Sequence, residues 1–108
     1  MVPYINKLTL SATNSKNVHT VNRKGCPATA VLSCSTCTNL FFPGKTVTFY
    51  NVSNNNQIFF ANVITNAKSQ ANITIPWNTI IRAEYSGAGI VKTLISADFA
   101  CGEENTTK

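Results

Sequence analysis

Apolar and polar residues alternate along most of this 108-residue chain. The run Leu8-Thr-Leu-Ser-Ala12 is typical, because every second side chain is apolar, as in a half-buried β-strand. Similar short runs follow, separated by clusters of Asn, Gly, Pro and Ser that favour turns. The predicted strands cover residues 8–12, 28–34, 46–51, 57–65, 70–75, 79–85 and 90–99. No segment has the 3.6-residue period of an amphipathic helix.

Seven short strands with a turn signal roughly every ten residues predict an all-β protein, and a β-sandwich in particular. The length suits one domain with one modest core. We therefore expect a single domain over residues 1–108, with its core at about residues 5–100 and a polar C-terminal tail at residues 101–108.

Charge is sparse, since only 12% of the residues are charged, and the formal net charge is +5. The basic residues are scattered, and Arg23-Lys24 is the one adjacent pair, so the pattern argues against a nucleic-acid interface. No segment has the roughly 18 apolar residues that a membrane helix needs, and we expect no membrane insertion. The first residues do not read as a signal peptide. We expect either a leader already removed or export by another route, as for parts of virions and spore coats.

The segment Pro43-Gly44-Lys-Thr-Val-Thr-Phe-Tyr50 resembles bacterial immunoglobulin-like (Big-type) domains of surface proteins and adhesins. Residues 71–76 (ANITIP), residues 80–87 (IIRAEYSG) and the first strand are similar to the same family, so the resemblance spans roughly residues 5–99. It implies a seven-stranded immunoglobulin-like antiparallel β-sandwich with a spacer or adhesive role and no catalytic residues. The four cysteines and the absence of a tandem copy depart from the family's pattern.

An even number of cysteines in a short β-rich chain suggests disulfides. If the seven strands run alternately up and down, Cys26 and Cys101 lie at one end of the domain, whereas Cys34 and Cys37 lie at the other. Because a disulfide needs Cα atoms within about 7 Å, we predict the pairs Cys26–Cys101 and Cys34–Cys37.

Three other uses of the cysteines are weaker hypotheses. Cys34-x-x-Cys37 is half of a zinc site, but structural zinc sites usually combine two close pairs. A redox Cys-x-x-Cys needs a helix after it, and no helix is predicted there. Disulfides between chains would cross-link subunits into a fibre or coat. We expect neither a metal nor a cofactor.

Catalytic chemistry has little support in the sequence. The single histidine, His19, lies in a polar connection. Glu84 and Asp98 come near the ends of the last two predicted strands, where pairing with Arg82 on a sheet surface is the favoured use over glycoside cleavage. Phosphate-binding loops and nucleophile elbows are absent from the sequence. We therefore predict that the protein is not an enzyme.

Aromatic residues supply the candidate contact sites. Phe59 and Phe60 are neighbours in a predicted strand, so one of them should point outward and can contact another subunit. Trp77 lies in a turn and, with Tyr85, is a candidate carbohydrate-stacking residue.

The sequence thus predicts a structural or adhesive immunoglobulin-like module on a cell surface or outside the cell. A self-assembling subunit of a filament, spore appendage or virion, held by disulfides or strand exchange, is the alternative. A carbohydrate-binding module is the second alternative. Partners are expected to be other proteins or further copies of the chain.

Overall fold

The structure, a computed structural model, describes residues 5–13, 25–34, 41–87 and 93–102. These residues form eight strands and one short turn of 3-10 helix at Ser53–Asn55. The strands are β1 Lys7–Ala12, β2 Cys26–Ser33, β3 Thr46–Asn51, β4 Ile58–Ile64, β5 Gln70–Ile75, β6 Thr79–Tyr85, β7 Leu94–Ile95 and β8 Phe99–Cys101. Within the described ranges, no helix is both long and apolar enough to cross a membrane.

All strand pairs are antiparallel, and they form two sheets. Sheet A has the order β1-β2-β5. Sheet B has the order β4-β3-β6-β7, and β8 also pairs with β6. Buried side chains of both sheets form one hydrophobic cluster, so the fold is an all-β, sandwich-like arrangement of two sheets. The predicted all-β class is confirmed, and the immunoglobulin-like topology stays a prediction.

The core follows the alternation seen in the sequence. In β2, Ala28, Ala30 and Leu32 are buried, and in β3, Val47 and Phe49 are fully buried. The residues between them point to the outer faces of the sheets, because successive side chains of a strand alternate. The same strands that fill the core therefore also build two outer surfaces.

Six of the predicted strands agree with the structure. The bounds of β3, β5 and β6 are those predicted, and those of β1, β2 and β4 differ by one or two residues. The seventh prediction, residues 90–99, differs more, because its described part contains two short strands, β7 and β8. Residues 90–92 lie outside the described ranges.

Ser96 explains why the last strand is interrupted. Its backbone N–H donates to the carbonyl of Ala83, and its Oγ accepts from the N–H of Ala83, each at 2.9 Å. The hydroxyl thus takes a position that a backbone carbonyl has in a regular ladder. Ile95 pairs with Glu84 whereas Phe99 pairs with Ile81, which leaves one extra residue on the β7–β8 side, as in a β-bulge.

A disulfide joins the two sheets. Cys26 begins β2 in sheet A, Cys101 ends β8 in sheet B, and their Cα atoms are 5.8 Å apart. Both cysteines are buried, so the predicted Cys26–Cys101 pair is confirmed. Cys34 is also buried and disulfide-bonded. Cys37 lies outside the described residues, so the Cys34–Cys37 pair stays a prediction.

Candidate functional site

A row of three side chains crosses the outer face of sheet B. Tyr50 of β3 pairs with Phe59 of β4 on one side and with Arg82 of β6 on the other. Phe59 is 59% exposed, and Tyr50 and Arg82 are half-buried. Directly opposed residues of neighbouring strands have Cβ atoms about 5 Å apart, so the row forms one continuous surface. Its chemistry combines two aromatic rings with a guanidinium group.

An irregularity in β4 sets the orientation of the two predicted contact phenylalanines. Phe49 pairs with Ala61, but the next residue, Tyr50, pairs with Phe59, so Phe60 is an extra residue in β4. Phe60 packs against the core cluster, whereas Phe59 is exposed to solvent. Of the two neighbours, Phe59 alone offers a large apolar surface to a partner.

The charged groups described on this face form one ion pair and one hydrogen bond with a neutral amide. Arg82 Nε donates to Asp98 Oδ1 at 3.0 Å, and Gln57 Nε2 donates to Glu84 Oε2 at 3.4 Å. Arg82 therefore pairs with an acid on a sheet surface, the use that the sequence favoured. The ion pair is partly exposed, so it contributes about 0–1 kcal/mol to stability. Beside it lies a small polar hollow of about 270 Å³. His19 lies outside the described residues.

Among the strands that the structure describes, β4 is also at one edge of sheet B. Five large apolar side chains are more than half exposed in the described residues, and three of them, Ile58, Phe59 and Ile64, lie on β4. The strand contains neither a charged residue nor proline. Charged residues and proline are two of the devices by which natural edge strands avoid pairing with other chains; a third such device, a β-bulge, is present at Phe60. Phe59, Ile64 and the adjoining Tyr50 lie on the outer face, whereas Ile58 lies on the opposite side of the strand, at its beginning. We call these four residues the β4 surface, and the exposed apolar side chains among them are suited to contact with another protein.

Trp77 and Tyr85 are not brought together. Trp77 lies in the turn between β5 and β6 and packs against the core, whereas Tyr85 ends β6. The length of β6 separates them by about 20 Å. Tyr85 is buried, and the loss of solvation raises the pKa of its phenol above 10.0. The two residues do not form the shared sugar-stacking site that was considered from the sequence.

The disulfide also bears on the zinc-site and cross-linking hypotheses for the cysteines. Cys26 and Cys101 are oxidised to each other, so a zinc site built from all four cysteines is not formed in this structure. Among the described residues, no group of three or more His, Cys, Asp or Glu side chains is close enough to hold a metal ion. None of the cysteines in the described ranges is a free thiol that would cross-link chains.

Sheet A carries a second surface, which the sequence did not reveal. A groove of about 660 Å³ runs over its outer face, and its polar lining includes Ser11, Thr13, Thr29, Gln70, Asn72 and Thr74. Thr13 and Thr29 share a hydrogen bond of 2.6 Å, and Thr29 Oγ1 donates to Asn72 Oδ1 at 2.7 Å. These residues are distant in sequence, so only the strand register brings them together. We call this surface the sheet A groove.

Comparisons of the chain with protein-family models, curated proteins and solved structures returned no significant match. The resemblance to bacterial immunoglobulin-like domains therefore stays a prediction.

Proposed function

We propose that this chain is a structural or adhesive immunoglobulin-like module of a cell-surface or extracellular assembly, and that it is not an enzyme. It works by side-to-side contacts between copies, made through the β4 surface. The observation that carries the proposal is the concentration of exposed Ile58, Phe59 and Ile64 on one uncharged edge strand. Surfaces of this kind are typical of protein contact sites rather than of isolated monomers.

The strand order supports the immunoglobulin-like part of the proposal. If β1, β2 and β5 correspond to strands A, B and E, then β4-β3-β6-β7 has the order C′-C-F-G. The segments that resemble the bacterial domains fall on strands and a turn of this fold. Pro43–Tyr50 covers a turn and most of β3, and Ile80–Gly87 covers most of β6.

The buried Cys26–Cys101 disulfide supports a location outside the reducing cytoplasm, because structural disulfides persist in oxidising compartments. A cell surface, a virion or a spore surface is each compatible with it. The disulfide also ties β8 to the other sheet, which gives the module the rigidity that a structural role needs.

Self-assembly by strand addition is the second candidate, and the open edge of β4 favours it. In strand addition, an extended segment of another copy pairs with the free backbone groups of an edge strand. Such a head-to-tail contact builds a filament, whereas pairing of two β4 edges around a two-fold axis stops at a dimer.

Sedimentation velocity tests the proposal. The wild-type chain should associate reversibly as its concentration rises towards about 1 mM. A Kd of about 1 mM corresponds to a binding free energy of about 4 kcal/mol. Phe59→Lys should weaken association at least about tenfold, since it places a charge in the apolar contact. Thr9→Lys, an exposed position on β1 of the other sheet, is the matched control and should leave association unchanged.

Two results would contradict the proposal. A wild-type chain that stays monomeric over the whole range makes no contacts between copies. Equal weakening by both lysine variants would assign association to net charge, because the chain already carries +5, rather than to the β4 surface. Filaments seen by electron microscopy, lost in Phe59→Lys, would favour the strand-addition form.

A further inference from the structure

We propose that the sheet A groove binds a neutral oligosaccharide. The site lies on the sheet opposite the β4 surface and does not depend on the function proposed there. It also differs from the pair Trp77 and Tyr85, which the fold keeps apart. Its volume of about 660 Å³ is within the range of about 300–1,000 Å³ that is usual for small-molecule sites.

The lining determines the charge of the ligand. None of the ten described residues that line the groove is ionisable. A charged ligand placed there would lose hydration without gaining an ion pair from these ten residues, which is unfavourable. Hydroxyl and amide groups instead offer both donors and acceptors at neutral charge. A polyhydroxylated, uncharged ligand matches that supply.

The hydrogen bonds within the groove orient its donors. Thr29 Oγ1 donates to Asn72 Oδ1, and Thr29 therefore accepts from Thr13. The carbonyl oxygen of Asn72 is thus engaged, and its Nδ2 forms no bond with the described part of the chain. The side-chain oxygen of Gln70 is engaged in the same way, because Oε1 accepts from Asn66 Nδ2 at 3.2 Å. Within the described residues, the amide N–H₂ groups of Gln70 and Asn72 therefore remain for a ligand.

The spacing of these donors suits a chain of sugar rings. Gln70 and Asn72 are two residues apart on the same face of β5, about 7 Å along the strand. Ser11 lies across β2, so its hydroxyl offers a third contact about 10 Å from β5. Half-buried Val31 and Pro27 of β2 lie between them and offer apolar contact to the C–H faces of a ring.

Titrations followed by ¹⁵N–¹H NMR test the site. The neutral probes are cellotetraose, chitotetraose and mannotetraose, and trigalacturonate is the acidic probe. We expect at least one neutral probe to shift amide signals of β2 and β5 with a Kd of about 0.1–1 mM, since the groove is open and shallow. Trigalacturonate should leave these signals in place.

The key variant is Asn72→Asp. It retains the size of the side chain and an oxygen that accepts from Thr29, but it removes the amide donor. Affinity should fall at least about tenfold. Asn62→Asp is the matched control, because Asn62 is exposed on β4 and its Oδ1 likewise accepts from a threonine, Thr48, at 2.7 Å. Binding by this control should equal that of the wild type.

Three results would overturn the proposal. The first is that no neutral probe shifts β2 or β5 signals at about 10 mM. The second is that trigalacturonate binds as well as the neutral probes. The third is that Asn72→Asp binds like Asn62→Asp. The Phe59→Lys variant should bind sugar normally, so failure of the contact at β4 and failure of this site are distinguishable.

Discussion

Removing the disulfide between the sheets should cost much of the stability of this domain. Cys26 and Cys101 are 75 residues apart, so their bond closes most of the chain into one loop. The chain-entropy relation for a loop of that size gives about 4.5 kcal/mol at room temperature. Small domains are stable by about 5–15 kcal/mol in total. We therefore expect Cys26→Ala/Cys101→Ala to fold marginally.

The loss has two parts that can be measured separately. The wild-type protein and the variant are compared under reducing conditions, which also open the disulfide of Cys34 in each of them. The reduced wild-type protein then lacks the cross-link but keeps both buried sulfur atoms of Cys26 and Cys101. The double alanine variant removes the sulfur atoms as well, and each side chain is 2% exposed, so it also leaves small cavities. The variant should therefore be less stable than the reduced wild type, by on the order of 1 kcal/mol.

Urea denaturation followed by Trp77 fluorescence gives these free energies, because Trp77 packs partly buried against the core. The slope of the free energy against urea should rise in the variant, since an unfolded chain without the cross-link exposes more surface. A loss below about 1 kcal/mol with an unchanged slope would refute the reasoning. It would mean that the unfolded chain is already compact without the bond.

Hydrogen exchange should locate the effect. In the described part of the chain, strand β8 pairs with Thr79, Ile80 and Ile81 of β6, and the carbonyl of Cys101 also accepts from the N–H of Asn78. The disulfide fixes the end of β8 to β2. In the variant, amides of β8 should exchange by local fraying, well before global unfolding. The central pair of β3 and β6 should stay protected up to the global limit. Uniform loss of protection would contradict a local anchoring role.

Three further predictions follow from the core, the backbone and the buried phenol. Phe49→Ala should cost about 3–5 kcal/mol in urea denaturation because Phe49 is fully buried, whereas Phe59→Ala on the exposed face should change stability by less than about 0.5 kcal/mol. Gly25→Ala should be more destabilising in thermal melts than Gly44→Ala. Both glycines have positive φ, but a Cβ at Gly25 would lie 2.8 Å from a backbone oxygen, whereas the surroundings of Gly44 are open. Burial raises the pKa of Tyr85, so the unfolded chain loses this proton first as the pH rises. Stability should therefore fall above about pH 10, and Tyr85→Phe should remove that part of the dependence in denaturation at several pH values.

Local patterns were sufficient to predict most strands of this fold. Alternation and turn residues gave β3, β5 and β6 their correct bounds, because these strands lie between strong breakers such as Pro43-Gly44 and Pro76. The last strand could not be predicted in the same way. Its interruption depends on the bonds of Ser96 with Ala83, a residue on another strand, and no local pattern encodes that partner.

The surfaces were predictable only in part, for the same reason. Alternation showed that one of Phe59 and Phe60 points outward, but the bulge that selects Phe59 depends on the register with β3. The sheet A groove was missed altogether. Thr29 and Asn72 are 43 residues apart, and their hydrogen bond exists only because β2 and β5 are neighbours in this register.

Side chains that point inward and side chains that point outward from the same strands have different roles in this molecule. Inward residues such as Phe49 and the buried disulfide fix the relative position of the two sheets. The outward residues of the two sheets differ in chemistry. Sheet B presents exposed apolar side chains beside an ion pair, whereas the polar groups that line the groove of sheet A are neutral hydroxyls and amides. Because the buried apolar side chains of β2, β3 and β6 lie on the inward faces, outward residues can change without a change in the core. A rigid frame with two chemically distinct faces can hold a protein neighbour on one side and a glycan on the other.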